Sequence, residues 1–188
     1  CISPSIASSS KGAKRNEAMS KDGAWIRLPT IEKVALEGFD LYTRKPSQEI
    51  VVEKPVFCLI GANGLGKSTF LNTVSYVVTG AVPDPTRRFQ SASDYLKNAV
   101  RADRTDDYYR GRISATSLNR AEATVTLAFG MREVAVTREL SGALGVSRLS
   151  IDGEEIQRED GSDLDGAYKE LVLRETGLKD FAQFVFLS

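Results

Sequence analysis

Residues 61–69 read Gly-Ala-Asn-Gly-Leu-Gly-Lys-Ser-Thr, which fits the phosphate-binding pattern G-x-x-x-x-G-K-[ST] at every position. An apolar run over 56–60 precedes this loop, and apolar residues recur at helical spacing after Lys67. A strand that enters a glycine loop and continues as a helix is the P-loop arrangement. We therefore expect a nucleoside triphosphate site here, with a buried strand over 56–60 leading into the loop. The alternative, a chance glycine turn before a helix, is disfavoured by both flanking elements.

The residue types in the loop assign a role to each part of it. Its three glycines permit positive φ and close approach of backbone N–H groups to phosphate oxygens. Lys67 is expected to act catalytically by reaching the β- and γ-phosphates, and Ser68 to ligate Mg²⁺. The predicted ATP-binding set is Gly61, Asn63, Gly64, Leu65, Gly66, Lys67, Ser68 and Thr69.

The composition narrows the class of protein. A chain of 188 residues with 41% hydrophobic residues and zero net charge is typical of a soluble domain. There is no histidine, which excludes a histidine metal site or general base, and the two cysteines imply no disulfide framework. No run approaches the roughly 18 apolar residues of a membrane helix. We expect a cytoplasmic protein, associated with the nucleoid or, in a eukaryote, nuclear, with residues 1–22 disordered or tag-like.

The remaining periodicity predicts an α/β fold with an antiparallel β meander beside the P-loop strand and helix. Short strands are expected around 31–36 and 49–52, and Gly80 is expected to end the P-loop helix. Alternation after residue 121 predicts strands near 123–129, 134–136 and 149–151, with a hairpin at Asp152-Gly153. The last helix is expected to run from near Ser162 to Gly177, with capping-box spacing between Ser162 and Asp165, before a strand over 184–187. Its predicted buried residues are Leu164, Ala167 and Leu171.

A basic segment lies between the P-loop helix and the meander. From Arg87 to Arg120 there are eight basic and four acidic residues, with tyrosines among them and one candidate helix over 91–100. One interpretation is a surface that neutralises a DNA backbone and stacks tyrosines on bases. The other is a solvated insertion whose tyrosines, Tyr95, Tyr108 and Tyr109, pack locally. The candidate DNA-binding residues are Arg101, Arg104, Arg110 and Arg112.

The order of these parts resembles the coiled-coil ABC-type ATPases of the SMC class, with Rad-type repair ATPases and RecF and RecN proteins as relatives. The resemblance covers about residues 30–188 and rests on Gly38-Phe39, the loop, and Arg138 in Val-Thr-Arg. It implies that residues 23–188 are the N-terminal lobe of an ABC/SMC-type ATPase head whose C-terminal lobe follows a coiled coil. It also implies a homodimer that sandwiches Mg-ATP, and double-stranded DNA and a nuclease or other effector subunit as partners. The implied roles are repair, chromosome organisation, or defence against phage or plasmids.

Four features limit what the resemblance supplies. Asp40 and Leu41 stand where the family commonly has arginine and a small polar residue, so adenine contacts cannot be assigned. The run 140–143, Leu-Ser-Gly-Ala, is similar to the ABC signature, but it lies between two predicted strands and is expected to be a turn. Gln183 precedes the expected position of the family's Q-loop glutamine. The 188 residues contain no Walker B pattern, so hydrolysis is expected of the full-length protein and not of this part alone.

Two other functions stay open from the sequence. One is a P-loop kinase or ATPase acting on a small molecule, which the β meander after the loop disfavours. The other is a scaffold that binds ATP and hydrolyses little of it. A coiled coil and a Walker B acid would favour the DNA-associated ATPase over the small-molecule enzyme, and loss of that acid would favour the scaffold.

Overall fold

The computed structural model describes residues 17–19, 25–41, 47–54, 56–82, 104–157 and 163–178. Two short strands, β1 (Glu17–Met19) and β2 (Trp25–Arg27), pair antiparallel as a separate sheet. Strand β1 lies within residues 1–22, which the sequence predicts to be disordered or tag-like. The predicted helix over 91–100, the predicted strand over 184–187 and Gln183 lie outside the described residues.

The main sheet has six strands in the order β4-β3-β5-β6-β7-β8, and every neighbouring pair is antiparallel. Its strands are β3 (Thr30–Glu37), β4 (Ser47–Val51), β5 (Glu122–Phe129), β6 (Arg132–Glu139), β7 (Arg148–Ile151) and β8 (Glu154–Glu155). The strands from β5 to β8 follow one another in the chain, through two-residue turns at 130–131 and 152–153 and an eight-residue connection at 140–147, which confirms the predicted meander. The strands predicted around 31–36 and 49–52 are also confirmed, as β3 and β4.

Four helices accompany the sheet in the described part of the chain. They are α1 (Lys67–Thr79), α2 (Asp106–Tyr109), α3 (Ala115–Leu118) and α4 (Leu164–Thr176). Helix α1 begins directly after the glycine loop and ends at Gly80, which takes the left-handed conformation, as predicted. Helix α4 ends at Gly177, also as predicted. It buries Leu171 and also Tyr168 and Val172, whereas Leu164 and Ala167 are only partly buried.

The core forms because one face of the meander is apolar. Alternate residues of β5, from Ala123 to Phe129, are buried, as are Val134 and Val136 of β6. Helices α1 and α4 contribute Tyr76, Val77, Tyr168 and Leu171 to the same core cluster. The P-loop helix is therefore fixed against the meander, as expected.

The predicted buried strand over 56–60 is wrong. The segment is assigned to no strand, and Val56, Phe57 and Ile60 are 75%, 47% and 93% exposed. The apolar composition of the run predicted burial, but a strand also requires a neighbour for its N–H and C=O groups. Among the described residues the strands pair antiparallel with neighbours in their own sheets, and none of them pairs with this segment.

Candidate nucleotide-binding site

The glycine loop reaches the start of α1 through left-handed backbone positions. Gly64 has φ 84° and Gly66 has φ 76°, a region that side-chain-bearing residues rarely adopt. Gly66 is the N-cap of α1, and its carbonyl accepts the first helical hydrogen bond, from Phe70 N, at 3.0 Å. The loop thus ends at a helix N-terminus, where backbone N–H groups and the positive end of the helix dipole favour a bound anion.

Lys67 bridges the beginning of the loop. Its Nζ donates to the carbonyl oxygens of Gly61 at 2.8 Å and Ala62 at 2.7 Å. An ammonium group has three N–H donors, and these carbonyls take two of them. The positive charge is consequently held beside the loop backbone, and contact of Lys67 with phosphate stays a prediction.

The two hydroxyl residues after Lys67 differ in accessibility. Ser68 is exposed, whereas Thr69 is buried and its carbonyl accepts a hydrogen bond from Thr73 Oγ1 at 2.7 Å. Asn63 and Leu65 lie exposed in the loop. The structure therefore groups the predicted set from Gly61 to Thr69 around the start of α1, with the Ser68 side chain open to solvent and that of Thr69 turned into the protein.

The tyrosines of the basic segment pack on α1. Tyr108 and Tyr109 of α2 are 4% and 0% exposed. Asn72 Nδ2 donates to Tyr108 Oη at 2.6 Å, and Tyr109 Oη donates to Thr73 Oγ1 at 3.1 Å. The interpretation of these two tyrosines as stacking platforms for DNA bases is wrong, because their rings are part of the core. Local packing, the other interpretation, applies to both, whereas Tyr95 lies outside the described residues.

The candidate DNA-binding arginines differ in their local contacts. Arg104 pairs with Asp106 at 2.8 Å, and the Arg112 guanidinium lies 4.2 Å from the centroid of the Tyr108 ring. Arg110 is exposed, and Arg101 lies outside the described residues. Arg104 and Arg112 thus make intramolecular contacts that stabilise the packing of α2, and the DNA contact remains a prediction.

The Asp40 carboxylate is hydrogen-bonded within the protein. Its carboxylate accepts hydrogen bonds from Ser114 N at 3.1 Å and from Ser117 Oγ at 3.0 Å, at the start of α3. The hydrogen bonds from Ser114 are the main reason that the pKa of Asp40 lies below its ordinary value. An ionised Asp40 is therefore used to anchor α3 beside the end of β3.

The sequence 140–143 is a turn of the meander, as predicted, and not a signature motif. It connects β6 to β7, and the two backbone groups of Gly142 both bind α2: Thr105 N donates to Gly142 O at 3.0 Å, and Gly142 N donates to Asp106. The hydrogen bond from Gly142 is the largest effect on Asp106 and lowers its pKa. These hydrogen bonds attach the turn to the start of α2.

Comparison with known proteins gives one family. The model of a family described as an AAA domain matches residues 33–187, which is more than half of the chain. No curated protein matches the chain. Within the part of the chain that the structure describes, no helix has the length and apolar character needed to cross a bilayer.

Proposed function

The chain belongs to the AAA domain family, an AAA-type P-loop ATPase family found in SMC-like proteins, and from that premise we propose that it is the ATP-binding N-terminal lobe of an SMC-like ATPase head. One observation carries the proposal: the glycine loop ends at the N-terminus of α1, with the Lys67 ammonium bonded to the carbonyls of Gly61 and Ala62. Backbone N–H groups, the positive end of a helix dipole and a lysine cation are the groups that phosphate-binding loops use, and their presence together supports a phosphate site here.

The loop residues divide the work of binding Mg-ATP. The backbone from Gly61 to Gly66 would surround the phosphates, and Lys67 would balance the charge of the β- and γ-phosphates. Ser68, which is exposed at the first turn of α1, would supply its hydroxyl to Mg²⁺. The metal neutralises charge on the phosphate oxygens when it is bound.

The exposed apolar segment over 56–60 supports the proposal that a second lobe completes the head. Ile60 and Val56 are largely exposed next to the loop, and apolar surface of this kind usually marks an interface. We propose that the C-terminal lobe supplies a strand beside 56–60 and the Walker B acid that these 188 residues lack. Hydrolysis then belongs to the complete head, and two heads close on ATP to clamp or bridge DNA.

The test is ATP binding and DNA-stimulated ATP hydrolysis by the full-length protein and three variants. Lys67→Ala should abolish both binding and turnover, whereas Lys54→Ala, a matched change at an exposed lysine before the loop, should alter neither. Neutralising Arg101 and Arg110 together should remove only the stimulation by double-stranded DNA, whereas Arg104 and Arg112 are left in place because they hold α2.

Each result separates the candidate functions. Turnover that ignores DNA in the wild type would overturn the DNA clamp and favour a P-loop kinase or ATPase acting on a small molecule. ATP binding without turnover in the full-length protein would favour a nucleotide-gated scaffold. Unchanged binding in Lys67→Ala would overturn the nucleotide site itself.

A further inference from the structure

The C-terminal turn of α1 is held by side chains from two other elements. Arg138 of β6 donates from Nε to the carbonyl of Val77 at 2.9 Å, and Tyr168 of α4 donates from Oη to the carbonyl of Val78 at 2.9 Å. Both side chains are buried, with Arg138 1% and Tyr168 3% exposed. The last carbonyl groups of a helix have no N–H partner inside the helix. The side chains of Arg138 and Tyr168 supply hydrogen-bond donors to two of them.

Arg138 is also bound to α4. Its Nη1 lies 2.7 Å from Asp165 Oδ1, and the other oxygen of Asp165 lies 2.6 Å from Lys169 Nζ. Burial is the largest effect on Asp165 and raises its pKa, but the hydrogen bond from Lys169 and the charge of Arg138 outweigh it and leave the pKa below its ordinary value. The carboxylate is therefore ionised at neutral pH, and α1, β6 and α4 meet at one guanidinium group.

The electrostatics favour a cation at this end of α1. The helix has no basic residue of its own in its last turn, and the negative end of its dipole lies there. Arg138 supplies the missing charge from β6. Gly80 permits the approach, because a Cβ at that position would lie 3.2 Å from an Arg138 guanidinium nitrogen.

We propose that Arg138 and Tyr168 are positioning residues of the nucleotide site, which couple the placement of α4 to nucleotide binding through α1. Lys67 and Val78 lie at opposite ends of α1, about 16 Å apart at 1.5 Å per residue. A helix is stiff along its axis, so a shift of its C-terminal turn is transmitted to the loop at its N-terminus. The proposal rests on ATP binding at Gly61–Thr69.

A second ion pair provides the matched control. Glu175 of α4 pairs with Arg132 of β6 at 2.9 Å. An arginine–carboxylate ion pair therefore joins α4 to β6 near both ends of α4. The contact to Val77 in α1 belongs to Arg138, at the other end of β6. Breaking the Glu175 pair therefore loosens α4 without changing the hold on α1.

The test measures amide exchange and nucleotide affinity in the full-length protein, with the non-hydrolysable ATP analogue AMP-PNP and Mg²⁺ as the ligand. In the wild type, the ligand should slow exchange at the amides of 164–176 as well as at 61–69. Tyr168→Phe, which removes one oxygen and keeps the ring, and Asp165→Asn should each weaken AMP-PNP binding by roughly fivefold or more and abolish the ligand effect on α4, because coupling is reciprocal. Glu175→Gln should retain both.

The outcomes distinguish this proposal from the proposed function. Protection at 61–69 without any change at 164–176 in the wild type would overturn the coupling and leave the nucleotide site intact. Lower thermal stability with unchanged affinity in Tyr168→Phe and Asp165→Asn would assign both residues a structural role only, and would also overturn it. If AMP-PNP does not bind the wild type at all, the proposed function fails, and this proposal fails with it.

Discussion

Replacing Arg138 with methionine removes the charge that joins three elements while keeping a long side chain in its place. The guanidinium is 1% exposed, and its loss leaves the Val77 carbonyl without this donor and Asp165 with Lys169 as its remaining ion-pair partner. The matched change is Arg132→Met in the same strand, because Arg132 also pairs with an acid of α4 but is 39% exposed. The two substitutions differ in burial and in the hydrogen bond that Arg138 donates to Val77.

The expected magnitudes follow from that difference. Removing one partner of a buried ion pair costs about 3–5 kcal/mol, and we expect about 3 kcal/mol because Asp165 stays 20% exposed and keeps Lys169. The exposed pair at Arg132 contributes about 0–1 kcal/mol. For a chain of this size each kcal/mol lowers the Tm by about 2–4 °C, so Arg138→Met should lower it by about 6–12 °C and Arg132→Met by less than about 4 °C.

The assay is urea unfolding followed by far-UV circular dichroism, with thermal unfolding alongside. The midpoint should fall while the slope of the free energy of unfolding against urea stays constant, as expected when only stability changes. Equal losses in the two variants would refute the argument that burial gives Arg138 its importance. A more stable Arg138→Met would show instead that the desolvation of the ion pair outweighs its attraction.

Three further substitutions test other contacts by the same unfolding measurements. Gly38→Ala should destabilise the protein by about 1–3 kcal/mol, because φ is +64° and the new Cβ would lie 3.0 Å from Ala121 Cα; an unchanged midpoint would contradict this geometry. Tyr109→Phe should cost about 1 kcal/mol by removing the hydrogen bond to Thr73, and no loss would show that the ring alone holds α2. Asp106 has a lowered pKa in the folded state, so its ionised form stabilises the fold above its ordinary value of 3.8, and this contribution is lost as the pH falls through the folded pKa. The difference in stability between wild type and Asp106→Asn should therefore shrink on acidification, and a constant difference would exclude ionisation as the cause.

The meander and the P-loop helix were predictable because their signals are local. Alternation from Ala123 to Phe129 fixes both the strand and its buried face, and Gly130-Met131 marks the turn within two residues. The helix is bounded by Gly66 and Gly80, which are read directly from the sequence. Strands that pair with the next strand in the chain need no information from distant residues.

The strand prediction for 56–60 was wrong because none of the described strands pairs with this segment. An apolar run of five residues predicts that the segment is buried, but it does not identify the element that covers it. The meander strands find their partners a few residues away, whereas a parallel strand depends on a crossover from a distant segment. Sequence pattern therefore predicted the loop and its helix correctly and the strand before them wrongly.

One feature of the sequence indicates the buried Arg138 at the C-terminal end of α1. Val134, Val136 and Arg138 have the same parity in β6, so period two places the arginine on the core face. A charge on that face requires a buried partner, and the sequence does not say which acid provides it. Tyr168 and Val78 are ninety residues apart, and no local pattern connects them.

The two ends of α1 are specified by different kinds of information, and this has a consequence for how the nucleotide site works. A nine-residue motif determines the N-terminal end, with Lys67 bonded to its own loop. The C-terminal end is set by Arg138 and Tyr168, which come from a strand and a helix far away in the chain. We expect phosphate binding by the loop to depend on how α1 is held against the sheet. Changes at Tyr168 or Asp165 of α4 should for that reason alter nucleotide affinity, although neither residue belongs to the motif.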